Sequence, residues 1–253
     1  MEEPEVAESV QADIGLVFAT AIELGPMLDR CARLRKYTGG NFTFRGGRLG
    51  EIRLAFVQCG MGPVAARQAT LALLDGHSPK WIISAGFSGA LSETLKIGDI
   101  VVGQSLVDEQ GTELRIDVGM PANPAGGLHV GRLLTVDRIV RTVTEKRELA
   151  KKSQALAVDM ESLAVATACR EAHARCLVVR AISDDMTADL PPEVLSIVGS
   201  TGSVRLGAAI GAIWKRPGSI MEMWHLRETA GVASKRLAVF LEGVITQLYA
   251  ADH

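Results

Sequence analysis

Residues 14–20, IGLVFAT, form a run of seven residues without a charge. The run reads as a strand covered on both faces, the pattern of a mainly parallel sheet. WIISA at 81–85, DIVVGQSLVD at 99–108, ALAVD at 155–159 and ARCLVVRAIS at 174–183 repeat it. Helical stretches separate these runs. One spans 22–34, opened by Glu23 and Pro26, and GMGPVAARQATLALLDG becomes a helix after its glycine turn and ends at Gly76. Residues 160–172 read as a third helix, and the chain turns helical after Pro191-Pro192 with a break at Pro217-Gly218. Residues 42–58, FTFRGGRLGEIRLAFVQ, read as a hairpin turning at Gly46-Gly47. Residues 109–131 are rich in Gly and Pro and read as a long loop. Alternating strands and helices predict an α/β fold, a single domain over 1–253 with a central mixed sheet flanked by helices. The acidic residues 1–12 read as a tail before the first strand.

Composition narrows the function classes. The 253 residues carry a formal net charge of −2, which offers no basic footprint for nucleic acid. Mean hydropathy is +0.20, yet no apolar run reaches the roughly 18 residues of a membrane span. The N-terminus lacks a basic n-region and an apolar core, so a cytoplasmic location is expected. The four cysteines and five histidines show no metal-type spacing. Neither a metal nor an organic cofactor is expected.

Ligands of open α/β sheets bind at the carboxyl ends of the strands. Here those ends carry Thr20 and Glu23, then Cys59-Gly60-Met61-Gly62, then Ala85-Gly86-Phe87-Ser88-Gly89-Ala90, then Asp159-Met160-Glu161, then Arg180 through Asp185. Carboxylates gathered with glycine turns suit a polyhydroxylated, nitrogen-bearing small molecule, because they accept from hydroxyls and, protonated, donate to a ring nitrogen. Taken singly, each has a plainer reading. Glu23 suits the macrodipole of a first helical turn, Asp159 is a natural N-cap, and Glu161 is a natural first-turn acid.

The motif VDMES at 158–162, paired with VVRAISD at 178–184, resembles the signature of the purine nucleoside phosphorylase and methylthioadenosine/S-adenosylhomocysteine nucleosidase superfamily. AGFSGAL at 85–91, LKIGDIVV at 95–102 and CGMGPVAA at 59–66 are similar to that family's glycine loops and following strand. The resemblance implies cleavage of the N-glycosidic bond of a purine, adenine-type nucleoside by a homo-oligomer. It implies that Asp184 donates a proton toward purine N7, steadied by Ser183. Burial or Asp185 is expected to favour the protonated form of Asp184. Glu161 would bind the ribose 2′-hydroxyl, Met160 would pack on the sugar, Glu23 would activate water and Arg180 would orient both. Gly62, Gly86, Phe87, Ser88 and Ile139 fall at substrate-binding positions, with Phe87 replacing a small hydroxyl residue and Ile139 a stacking aromatic.

Phosphorolysis, with phosphate as co-substrate, is the alternative. The arginines that would hold phosphate after the first strand and beside the central loop are replaced by Thr20-Ala21-Ile22-Glu23 and Ile83-Ser84, leaving Arg45, Arg48 or Arg67 to reach in. LLTVDR at 133–138, the Asp159 variant and Pro191-Pro192 look closer to the hopanoid-associated phosphorylase branch, which acts on an adenosylated lipid. The Met/Trp-rich segment 213–224 would then face a greasy 5′-substituent or, more plainly, pack. A remote rival is a serine hydrolase built on Gly86-Phe87-Ser88-Gly89-Ala90 with His173 or His225. A nucleoside-binding protein without turnover is the third reading.

Overall fold

The structure, a computed structural model, describes residues 11–192, 194 and 219–252, with the backbone alone from 219 to 226. Segment 213–218 and the side chains of 219–224 therefore lie outside the described residues. The apolar run at 14–20 forms β1 (Ile14–Phe18), all five residues buried. It lies between β4 (Ile52–Gln58) and β5 (Trp81–Ala90) and is parallel to both. The sheet continues outward through β3 (Phe42–Leu49) to the edge strand β2 (Ala32–Gly39).

On the other side it curls. β5 pairs in parallel with β10 (Arg175–Asp184), and its far end pairs with β9 (Ala157–Asp159). β9 joins β8 (Leu128–Thr135), β8 joins β6 (Ile100–Val107), and β6 returns to β10. Five strands thus close on themselves, and the short β7 (Glu113–Arg115) hangs on β6. Parallel and antiparallel pairs coexist, as the expected mixed sheet requires.

Helices cover both faces. α1 (Ala21–Leu28) packs with the long C-terminal helix, here α5 (Ser219–Ala251). Ala233, Leu237, Leu241 and Val244 of α5 recur at helical spacing and are buried with Leu24, Met27, Phe18 and Phe56. Each of the Leu, Val, Met and Phe side chains among them contributes about 1.5–3 kcal/mol by leaving water. On the opposite face α2 (Pro63–His77) and α4 (Ser162–Glu171) pack Ala66, Ala69 and Leu73 against Val165 and Cys169. α3 (Val143–Ser153) closes a smaller cluster through Leu149.

Several boundaries differ from the sequence reading. The first helix stops at Leu28 and residues 32–39 form an edge strand, because its backbone pairs with β3. The hairpin turns at Gly50-Glu51 rather than Gly46-Gly47, and Gly50 takes the positive φ (+59°) of that turn. Gly46 and Gly47 lie within β3. The expected loop 109–131 contains β7, a 3₁₀ turn (Pro124–Gly126) and the start of β8. α2 runs one residue past Gly76, and the helix expected over 160–172 spans Ser162–Glu171, with His173 in the turn that follows at φ +55°.

Candidate active site

Where β1 ends, Thr20 and Glu23 form a capping box. Glu23 Oε2 accepts the Thr20 amide at 2.7 Å, and Thr20 Oγ1 accepts the Glu23 amide at 3.4 Å. The other oxygen, Oε1, leaves the helix and accepts the Phe87 amide of β5 at 2.8 Å. Glu23 therefore serves as both cap and site residue, one oxygen each. A Cβ on Gly86 would stand 2.7 Å from both Glu23 Oε1 and Arg180 Nη1, so only glycine lets these two side chains cross β5.

Arg180, 2% exposed on β10, is the hub. Its Nε donates to Asp159 Oδ2 at 2.5 Å and to Ser162 Oγ at 3.1 Å, and a terminal nitrogen donates to Ser84 Oγ at 3.0 Å. Ser162 Oγ also donates to Asp159 Oδ2, and Thr135 Oγ1 to Asp159 Oδ1 at 2.8 Å. Asp159 Oδ1 also accepts the Ser162 amide at 3.3 Å, but the N-cap position of α4 is Glu161, so Asp159 is not the N-cap it was read as, and its charge answers Arg180. The Glu161 side chain itself makes no cap bond. Its Oε1 accepts the amide of Gly62, whose φ of +97° suits glycine and aims that N–H across the strand ends.

Burial dominates the electrostatics. It raises the pKa of Glu23, against the Phe87 amide, the Arg180 charge and the Thr20 bonds. Glu161 is pushed up to about 7 by burial and then by Asp159, opposed by Arg180 and the Gly62 amide. Burial alone would lower Arg180, but Asp159, Glu161 and Glu23 hold it above its usual value.

Asp184 ends β10. Its Oδ1 accepts from Ser183 Oγ at 2.8 Å, and its Oδ2 accepts from Lys146 Nζ at 2.5 Å. Lys146, on α3, is fully buried, and the sequence analysis did not single it out. The Asp185 carboxylate turns instead to the amide and hydroxyl of Thr187. The charged neighbour on Asp184 is therefore a cation rather than the expected anion.

These strand ends enclose a cavity of about 290 Å³. Glu23, Phe87, Ser88, Ile139, Met160, Glu161, Ser183 and Asp184 line it, while Arg180, Gly86 and Gly62 stand behind the wall. Met61, Val140 and Leu190 add apolar surface, and α5 supplies Thr229 and Ala230, which sequence reading missed. Arg45, Arg48 and Arg67 are not among the lining residues. Arg48 and Arg67 pair with Glu51 and Glu171. Arg138 does line the cavity, held by Glu109 at 2.5 and 3.1 Å and by Glu145 at 3.1 Å. No described histidine lines it, His173 included, and Ser88 Oγ is buried without a partner among the described residues, while the side chain of His225 lies outside the described residues. Among the described residues no His, Cys, Asp and Glu cluster suited to a metal occurs, and no helix is long and apolar enough to cross a membrane.

A partly closed mixed sheet with buried carboxylates converging at its strand ends defines an α/β protein with a built small-molecule site. Residues 13–128 and 122–202 match the family model of the phosphorylase superfamily, and the chain belongs to that family. It is 25% identical over 195 residues to the 5′-methylthioadenosine/S-adenosylhomocysteine nucleosidase of Staphylococcus haemolyticus, covering 68% of this chain and 86% of that protein. The Colwellia psychrerythraea nucleosidase of the same name is 27% identical over 200 residues, with 67% and 82% covered. The solved Helicobacter pylori nucleosidase shares the fold at a TM-score of 0.71 and 18% identity, covering 94% of this chain and 99% of that one. Futalosine hydrolase of the same organism does so at 0.70 and 18%, covering 95% and 100%.

Proposed function

We propose that this chain hydrolyses the N-glycosidic bond of an adenine-type purine nucleoside. The observation that carries the reading is the convergence of Glu23, Glu161 and Asp184 on one cavity with Arg180 behind it. The names of the curated relatives support it.

The chemistry follows from the geometry. A purine leaves poorly as an anion, so a proton moves from Asp184 to N7 as the glycosidic electron pair goes to the base. The sugar becomes oxocarbenium-like, and the carboxylates of Glu23 and Glu161 stabilise that positive charge. Glu161 accepts from ribose hydroxyls, Met160 packs on the sugar, and Ser183 holds Asp184. Glu23 takes the proton of the attacking water, whose oxygen bonds to the anomeric carbon. Glu23 must be ionised for this step, which Arg180 favours against burial. Gly62, Gly86, Phe87, Ser88 and Ile139 shape the substrate cavity, and Ser88 Oγ is free to bond the ligand.

Water rather than phosphate is the nucleophile in this reading. Of the described cations, Arg138 lines the cavity already bonded to two carboxylates, and Glu23 repels an anion. The wall of Met61, Ile139, Val140 and Leu190 suits an apolar 5′-substituent. No cofactor takes part. The four free cysteines fit a reducing, cytoplasmic setting. Val64 and Leu71, exposed on α2, fit a homo-oligomer contact, which light scattering of the purified chain checks.

The test is base release from adenosine, methylthioadenosine and an adenosylated lipid, each with and without phosphate. Release without phosphate is expected, and Asp184→Asn should slow it by about 10²–10⁴-fold. Strict phosphate dependence would replace hydrolysis by phosphorolysis, and full turnover by Asp184→Asn would remove that residue from the mechanism.

A further inference from the structure

Lys146 has no exposed surface, although it lies on α3 among surface charges. Its ammonium donates to Asp184 Oδ2 at 2.5 Å and to the Asp185 carbonyl at 2.6 Å, joining α3 to the end of β10. A lysine without water is costly unless its charge is answered, and stability alone is served as well by an apolar side chain. The carboxylate that answers it lines the cavity, and Ser183 holds that carboxylate's other oxygen.

We infer that Lys146 is a positioning residue for leaving-group protonation, an inference that rests on the hydrolytic reading above. It fixes the carboxyl group of Asp184 through Oδ2 while Ser183 fixes Oδ1. Asp184 takes up a proton from solvent on Oδ1 before the step, the Ser183 hydroxyl then turning to accept it; when that proton passes to the purine, Asp184 is again a carboxylate beside a cation already in place. That charge forms during the chemical step, so the ammonium stabilises the transition state more than bound substrate. Lys146 itself keeps its protons and touches no reacting atom.

The consequence concerns leaving groups. A purine needs the proton, whereas a nitrophenolate departs without one. Lys146→Met should therefore lower kcat for methylthioadenosine by about 10²-fold with KM within about threefold. Hydrolysis of 4-nitrophenyl β-D-ribofuranoside should change by less than about threefold. Lys146→Arg keeps the charge with different geometry and should show the same split in smaller degree. It also serves if the Met variant does not fold, which circular dichroism and thermal melting decide. Equal losses on both substrates, or a rise in KM with kcat unchanged, would make Lys146 merely structural and overturn the inference. If the parent does not turn over the nitrophenyl riboside, the kcat-against-KM split decides alone. A parent chain that releases no purine would instead sink the hydrolytic reading.

Discussion

Arg180 and Arg67 each hold a carboxylate at hydrogen-bond distance, and the two sites could hardly differ more in what the contact does. Arg67 reaches from α2 to Glu171 at 2.6 Å, with the two side chains 42% and 50% exposed. Arg180 meets Asp159 at 2.5 Å with 3% and 0% exposed. The first pair competes with water and salt and contributes little. The second gives up the hydration of both charges, which attraction alone rarely offsets. A fold selected only for stability has no need of it. Lys146 likewise gives up its hydration wholly, against a half-buried Asp184, so both buried cations mark the end of the sheet where chemistry is to be expected.

The comparison breaks most visibly at Arg180. Arg180→Met fills similar volume but leaves Asp159 without its cation and Glu161 and Glu23 without theirs. The expected loss is about 3–5 kcal/mol of stability, read from urea denaturation at pH 8. The loss should shrink at pH 5, where the carboxylates take up protons. A variant as stable as the parent at both pH values would show that the cluster is not held by charge.

How much of this contrast was legible follows from pattern strength. β1, β5, β6 and β10 declare themselves because both faces are covered and the runs are apolar. β2 does not: ARLRKYTG is exposed throughout, so nothing in its composition separates an edge strand from a helix tail. Gly46-Gly47 carried a stronger turn signal than Gly50-Glu51, yet tertiary pairing placed it inside β3. In the site, Glu23, Glu161 and Arg180 were visible because they stand at strand ends. Lys146 was not, since its neighbours are charged. The available signal was its place in the stripe Val143, Lys146, Leu149, Ser153, spaced by three or four on the helix face that Leu149 buries.

A second prediction sharpens the contrast through Glu161. Its pKa is pushed up to about 7 by burial and by Asp159, against an ordinary value near 4.5. The folded chain therefore binds more protons than the unfolded chain between those values. Stability from this group is present at low pH and is lost as pH rises from about 4.5 through about 7. In the proposed mechanism substrate binding runs the other way, because it is the ionised carboxylate that would accept from the ribose 2′-hydroxyl. kcat/KM for methylthioadenosine should rise toward neutrality, with an inflexion that Glu161→Gln removes. The same variant should flatten the pH dependence of the urea midpoint over that interval. An unchanged inflexion would assign it to another group, Glu23 being the nearest candidate, since its pKa is also raised by burial.

The smallest effect belongs to the surface pair and is the control on the whole contrast. Arg67→Ala removes the partner of Glu171, which is half exposed and rehydrates at once. Thermal melting should move by less than about 2 °C, and raising the salt concentration should erase even that difference. Turnover should be unchanged, because Arg67 does not line the cavity. A loss of turnover that depends on phosphate concentration would instead place Arg67 near a bound phosphate, reviving phosphorolysis through a residue that here faces Glu171.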